Sequence, residues 1–515
     1  MKNLLKPINA CILIFVFGGF FGLFRSYRAP LSDFGNYYYG AKVGTVDGLE
    51  FNGVYNVAKF NQRVETLGER NLFLNHCTVS PQSVMIYLPL TWIADAHTAK
   101  MIFNSVGLLF LVFAFSYFIK WKNTELTWLH VLLLCAAQIP IYYNLLFGQT
   151  YLFITGFLLI AIVQAEKRPL LSGLLLGLAI SLKISPAIFL LWFITQRKYR
   201  VVVYTTITCV LVLCTLFAIP KDFLINWNFF SQSLPRMMDG FISDPFSSSF
   251  QSVIVFLRKL MLPDPVLNPD PLISGSENLV QLINVLVFSF LVVLLFRAWK
   301  EKQDVAKKFV LLILFLFITS GYTSTYSLLL LVPFVSPAQS KWDWVRIGLY
   351  SMVLVFPPRM FDGYSPFLEE YKLWLFIALL IWESKVDNPF KRIEKMQAVL
   401  GTCLLMMIIF KLSDKPERLP LEYFKSETMK HDYVLSAHVG EGTIEYLTYE
   451  ANGFRMFTVP YDGKPYYGPE DKEFGGKVEC YAIGETESEF LVLSDYHRGP
   501  GLYHLYIVKK SFYKP

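Results

Sequence analysis

The chain has 515 residues, of which 54% are hydrophobic and 17% charged, with a mean hydropathy of +0.42. Soluble globular domains carry about 25% charge, so a soluble multidomain protein, a disordered chain and a disulfide scaffold are excluded, and a membrane protein is expected. The net charge of +7, from 47 basic and 40 acidic residues, is too diffuse for a nucleic-acid surface and fits basic loops on one side of a bilayer.

Runs of about 20 mostly apolar residues predict membrane spans. In chain order they lie near 8–25, 99–119, 126–143, 146–165, 200–219, 279–297, 309–320, 322–338, 342–357, 371–384 and 396–412. Lys183 and Pro186 interrupt 169–195, which predicts two short arms, 169–182 and 185–195, meeting at one face. The expected fold is an α-helical polytopic membrane protein with about 13 crossings.

Charge placement orients it. The N-terminal segment and the short loops on its side hold 20 lysines and arginines; the short loops opposite hold two, Lys183 and Arg359. By the positive-inside rule the N-terminus is cytoplasmic, and 26–98, 220–278 and 413–515 lie outside the cytoplasmic (inner) membrane. The first span lacks a small-x-small cleavage site and is read as a retained helix. The apolar stretch 82–95 is too short to cross and predicts an interfacial or re-entrant helix.

Beyond the membrane region, 1–412, the pattern changes. Alternating runs at 433–439, 443–449, 454–459, 478–483, 490–494 and 502–508, with Asn452-Gly453 and Asp462-Gly463 as turn signals, predict a small β-rich extracytoplasmic domain over 413–515. Of seven cysteines only Cys77 and Cys480 fall outside the spans, and they are read as unpaired. His431/His438 and His497/His504 do not match a zinc spacing and are read as surface residues; His76 stands in the first outer loop near the candidate site.

Four features bear on chemistry. Asp33 follows the first span closely and is joined by Tyr37, Tyr38 and Tyr39. Either Ser32 or Asp33 caps a juxtamembrane helix beside an interfacial aromatic belt, or Asp33 is a carboxylate base at the outer face. Gln149, after Gly148 at the outer end of a span, either links helices or lines a cavity. Lys183 at the tip of the broken pair either snorkels to the interface or holds an anion such as a lipid phosphate. The segment 243–265 reads as a polar turn feeding an amphipathic helix with Arg258 and Lys259, for docking on lipid or for contact with phosphate or sugar.

The order of these features resembles the GT-C superfamily of polytopic glycosyltransferases, and most closely glycosyltransferase family 87, which is associated with mannosyl transfer from polyprenyl-phosphate mannose. The matching positions are Asp33-Phe34, Tyr37-Tyr38, Gly40-Ala41, Gly53 and Tyr55; then Ser80-Pro81 through Pro89-Leu90; then Pro140, Asn144, Gly148 and Gln149; then Gly177, Lys183 and Pro186; and Phe250-Gln251-Ser252. The resemblance covers roughly 10–340. It departs where the family often has a Ser-Trp plus His element: here Tyr322 and Tyr326 stand without Trp or His.

The resemblance implies a hexosyltransferase that moves a sugar, mannose by the family pattern, from a polyprenyl-phosphate donor to an acceptor hydroxyl on a lipid, glycan or protein. Asp33 is then the catalytic base in an inverting displacement. Lys183, with Arg258 or Lys259, holds donor phosphate. Tyr37, Tyr38, Asn144, Gln149, Gln251, Ser252 and His76 are candidates for sugar or acceptor contacts. No Asp-x-Asp nucleotide-sugar metal motif stands in the loops, no metal ligands are assigned, and a need for a divalent metal is left open. The expected partners are the donor, the acceptor and membrane lipids, with no nucleic acid. Two other classes remain: a transporter or flippase of lipid-linked glycan, which also uses broken helices, and a non-catalytic subunit on the same frame.

Overall fold

The structure is a computed structural model. It describes residues 6–46, 60, 63–64, 66–67, 74, 79–217, 229–230, 246–263, 268, 271–300, 304–321, 323–335, 342–361 and 364–384, and seven strands between 434 and 509. The expected span at 396–412 and the loop residues Gly53, Tyr55, His76 and Cys77 lie outside the described residues.

The membrane region is helical. In chain order the helices are α1 (Pro7–Arg28), α2 (Asp33–Val46), α3 (Pro81–Tyr87), α4 (Ala96–Lys122), α5 (Trp128–Phe147), α6 (Tyr151–Gln164), α7 (Pro169–Leu182), α8 (Leu190–Thr195) and α9 (Tyr199–Phe217). They continue as α10 (Val253–Met261), α11 (Glu277–Lys300), α12 (Val305–Thr319), α13 (Asp343–Val355), α14 (Pro366–Glu369) and α15 (Tyr371–Ser384).

Local chemistry sets the ends of these helices. Asp95 caps α4 by accepting from the Thr98 amide at 2.8 Å, and left-handed Asn123 closes it after Lys120 and Lys122. Thr127 and His130 form a capping box on α5. Between α7 and α8 the chain turns extended at Lys183 and runs as a 3-10 turn over Ser185–Phe189, because Pro186 has no amide to continue a helix.

Among the described residues four helices are long and apolar enough to cross a membrane: Pro7–Arg28, Ala96–Lys122, Trp128–Phe147 and the Glu277–Phe296 part of α11. The other apolar helices are shorter. The 14 residues of α6 or α7 span about 21 Å, less than the ~30 Å hydrocarbon core. The described residues of 322–338 form no helix of spanning length. They hold two 3-10 turns, Thr325–Leu330 and Val332–Phe334, since Gly321, a cluster of hydroxyl residues and Pro333 all compete with α-helix. The stretch 82–95 forms α3 and a 3-10 turn over Leu88–Trp92. Ser83, Val84 and Tyr87 of α3 are buried, so the helix packs within the protein instead of lying on lipid.

One apolar core joins α2 to α7 with α9, α10, α12, α13 and α15. On the outside, Phe17, Phe20 and Phe21 of α1 and Val285, Leu286, Phe290 and Phe296 of α11 are exposed. Apolar surface of that extent is a lipid-facing surface, not one made for water. Among the C-terminal strands, β1 (Val434–Val439), β2 (Gly442–Ala451) and β3 (Phe454–Thr458) form one antiparallel sheet. The second sheet joins β4 (Tyr466–Tyr467), β5 (Glu479–Glu485), β6 (Glu489–Ser494) and β7 (His504–Lys509) in that order.

Candidate active site

The chain leaves α1 at Arg28, and Ser32 adopts φ 51° immediately before α2. This sharp entry puts Asp33 in the first turn of α2. Its carboxylate reaches a residue far along the chain. Oδ2 accepts a 2.5 Å hydrogen bond from Nε2 of Gln149, 116 residues away. The amide oxygen of Gln149 accepts from the Tyr37 hydroxyl at 3.2 Å, so the amide is oriented from both ends.

Gly148 makes this approach feasible. It ends α5 in the left-handed region at φ +65°, and a Cβ there would lie 2.5 Å from Cβ of Phe34. Gly148→Ala is therefore expected to force α5 and α2 apart and separate Gln149 from Asp33. Thermal unfolding should show a loss of about 1–3 kcal/mol.

Tyr37 lies flat against Tyr87, with ring centroids 4.6 Å apart and planes 8° apart. Phe34 meets Tyr38, Tyr87 and Phe103 in the same aromatic layer. Burial first, then Tyr87, Asp33 and Tyr151, hold the Tyr37 phenol well above its ordinary value, so it remains a donor to Gln149. Burial pushes the Asp33 carboxyl above its ordinary range, while the Gln149 hydrogen bond, Lys183 and Lys100 pull the other way and only partly offset it. A carboxylate of raised pKa is a stronger base than one in water.

Lys183 lies in the extended turn after α7, outside either arm. Its ammonium rests 5.1 Å from the ring centre of Tyr151 and 5.6 Å from that of Tyr326. Burial lowers it to about 8, opposed by the Asp33 carboxylate. Among the described residues no carboxylate forms a direct ion pair with it. Ser80 Oγ ties α3 to this end of α7 by donating to the Ser181 carbonyl at 3.1 Å.

Asp33, Tyr37, Gln149 and Lys183 are thus brought together. Two other candidate side chains donate to backbone carbonyls. The Tyr38 hydroxyl donates to the Ile93 carbonyl at 2.7 Å inside the core. Asn144, fully buried, donates from Nδ2 to the carbonyls of Pro140 (2.8 Å) and Tyr326 (2.9 Å), fixing the turn that carries Tyr326.

His76 lies outside the described residues, and the other candidates belong to a second polar cluster at α10, α11, α14 and α15. Lys259 is neutralised there by Glu369 at 2.9 Å and Glu370 at 2.7 Å. Arg258 is paired with Glu277 at 3.4 Å. Gln251 donates to the carbonyls of Ser248 and Glu369 and accepts from the Lys372 amide, while Ser252 is fully buried at the start of α10. Two carboxylates thus already meet the charge of Lys259, the residue expected to help hold donor phosphate. Burial alone would lower that ammonium, but Glu370 and Glu369 outweigh it and hold it above its ordinary value.

Sequence reasoning missed Lys100. It is fully buried in α4, and its Nζ donates to the carbonyls of Pro30 (2.8 Å) and Leu146 (2.6 Å). Four residues on, Asn104 Nδ2 donates to Ser26 Oγ and to the Leu145 carbonyl. The i, i+4 spacing of two polar residues in an otherwise apolar helix was the available signal. Among the described residues no group of three His, Cys, Asp or Glu side chains is placed to hold a metal ion.

The family model of glycosyltransferase family 87 matches residues 78–354. Asp33 and Tyr37 precede that match, while Gln149 and Lys183 fall within it. Over 149 residues the chain is 30% identical to the polyprenol-phosphate-mannose-dependent alpha-(1-2)-phosphatidylinositol mannoside mannosyltransferase of Mycolicibacterium smegmatis, covering 26% of this chain and 33% of that protein. The protein of the same description from Mycobacterium tuberculosis is 29% identical over 139 residues, covering 24% and 32%. The match therefore spans about a third of the length of these curated relatives. No solved structure matches the chain. A buried carboxylate and a lysine at the ends of apolar helices, on a frame whose family match covers just over half of its length, place the chain in glycosyltransferase family 87.

Proposed function

We propose that the chain transfers a sugar, with mannose the first candidate, from a polyprenyl-phosphate donor to an acceptor hydroxyl at the outer face of the cytoplasmic membrane. The observation that carries this reading is the Tyr37–Gln149–Asp33 hydrogen-bond chain beside the Lys183 ammonium. Among the described residues this centre sets two ammonium groups, Lys183 and Lys100, against one carboxylate, so an incoming phosphate is electrostatically welcome. The names of the mycobacterial relatives support a lipid-linked mannose donor.

The acceptor oxygen attacks the anomeric carbon as the bond from that carbon to the phosphate oxygen breaks. The bonding pair leaves with the polyprenyl phosphate. The acceptor proton passes to the oxygen of Asp33 that Gln149 does not occupy, and Lys183 stabilises the charge growing on the phosphate. One displacement inverts the anomeric centre, so a β-linked donor gives an α-linked product. The sites of charge fit the proposed topology. Asp33 follows the C-terminus of α1, Gln149 that of α5 and Lys183 that of α7, while Lys100 and Tyr151 sit near the N-termini of α4 and α6. Such alternation gathers all five at one membrane face, which we assign to the outside. On the same orientation 413–515 lies outside, where it would serve the acceptor or a partner.

The test is direct. Purified chain in lipid nanodiscs, given radiolabelled polyprenyl-phosphate mannose and an extract of its native lipids and glycans, should consume the donor and label an acceptor. Intact donor that is moved between leaflets of a vesicle would establish the transporter reading instead. Lys183→Ala is expected to raise the donor KM by about 10- to 100-fold, the worth of one charged hydrogen bond to phosphate. An unchanged KM would leave Lys183 as an interfacial snorkel.

A further inference from the structure

The proposed site depends on a contact between two chain segments distant in sequence, and one side chain joins them from behind. Lys100 donates to the Pro30 carbonyl, three residues before Asp33, and to the Leu146 carbonyl, three residues before Gln149. The segment 29–32 is irregular, with Ser32 in a left-handed conformation, and no helix sets its path. At Leu146 the last turn of α5 leaves carbonyls without helical partners, and Gly148 then reverses the chain. Each segment alone is loosely specified; a shared ammonium, fully enclosed by protein, specifies both.

We propose that Lys100 is the positioning residue of this site: its ammonium clamps the segments bearing Asp33 and Gln149 and fixes the carboxylate against the amide. The proposal deepens the transferase reading and rests on it for its catalytic consequence. A neutral leucine or methionine at 100 would fill the space, but the two carbonyls would lose their donor. The ammonium also faces the Asp33 carboxylate, together with Lys183 from the turn after α7, Tyr37 from α2 and Tyr326 from the 3-10 turn after α12. Lys100 therefore acts on Asp33 both through geometry and through charge, and the two effects separate on substitution. Glutamine at 100 keeps one donor and loses the charge, and methionine loses both.

The experiment compares wild type, Lys100→Gln, Lys100→Met and Asp33→Asn in nanodiscs by two readouts. The first is an infrared pH titration of the Asp33 carboxyl stretch, identified by its absence in Asp33→Asn; it needs no substrate. The second is kcat against pH with polyprenyl-phosphate mannose. Loss of a nearby cation favours the neutral carboxyl, so in Lys100→Gln the Asp33 titration and the acid limb of kcat should both move to higher pH. In Lys100→Met kcat should also fall about tenfold or more at the pH optimum, with donor KM nearly unchanged. An Asp33 titration in folded Lys100→Gln that coincides with wild type overturns the proposal. If wild type shows no turnover, the transferase reading fails, yet the infrared shift still decides the role of Lys100. If Lys100→Met does not fold, Lys100→Gln alone carries the decision.

Discussion

Asp33→Asn is expected to reduce kcat by about 10²- to 10⁴-fold, the usual contribution of a positioned general base. The amide is nearly isosteric with the carboxylate, and its oxygen can still accept from Nε2 of Gln149, so the fold and donor KM should change little. The pH profile gives a second signature. The base works only when deprotonated, and burial holds the Asp33 carboxyl above its ordinary range. The rate should therefore fall as pH drops through that raised value, earlier than a solvent-exposed aspartate of about 3.9 would give. On the alkaline side Lys183, lowered to about 8, loses its charge and with it the hold on phosphate, so donor KM should rise above about pH 8. Asp33→Asn should abolish the acid limb and keep the alkaline rise in KM. Turnover by the purified variant close to that of wild type would end the base assignment.

The parts legible from sequence were those where chemistry and position coincide. Asp33 just beyond an apolar helix, Gln149 after a helix-ending glycine, and Lys183 before a proline each combine a polar residue with a helix end, and the structure brings these three together around Tyr37. Sequence gives the type of a side chain but not its direction. Tyr38 and Asn144 have the right chemistry for sugar contacts, yet their donors point to the carbonyls of Ile93, Pro140 and Tyr326.

Lys100 stayed hidden because one lysine near the start of a 27-residue apolar helix reads as an interfacial anchor. The carbonyls that capture it come from two other segments. Hydropathy likewise reads 322–338 as one apolar run. It counts apolar residues and is blind to the hydroxyls, Gly321 and Pro333 that turn this stretch into 3-10 structure.

The ion-pair partners of Lys259 were hidden for a related reason, since they lie more than a hundred residues on, and its replacement is expected to have the largest effect on stability. Lys259 is 4% exposed, and Glu369 and Glu370 are 6% and 0% exposed. Lys259→Met removes the cation from two buried ion pairs, and breaking a buried pair typically costs about 3–5 kcal/mol. Denaturation in mild detergent should show that loss. Adding Glu370→Gln should recover part of it by removing one stranded charge. In wild type the Lys259 ammonium is held above its ordinary value, so its contribution is fully present below the unfolded pKa and lost only as pH rises through the higher folded one. Wild-type stability from this contact is then flat across roughly pH 6–9. The variant should differ, gaining stability as pH falls and the stranded carboxylates take up protons. If Lys259 held donor phosphate instead, Lys259→Met would raise donor KM and leave unfolding unchanged, so the two roles give opposite pairs of results.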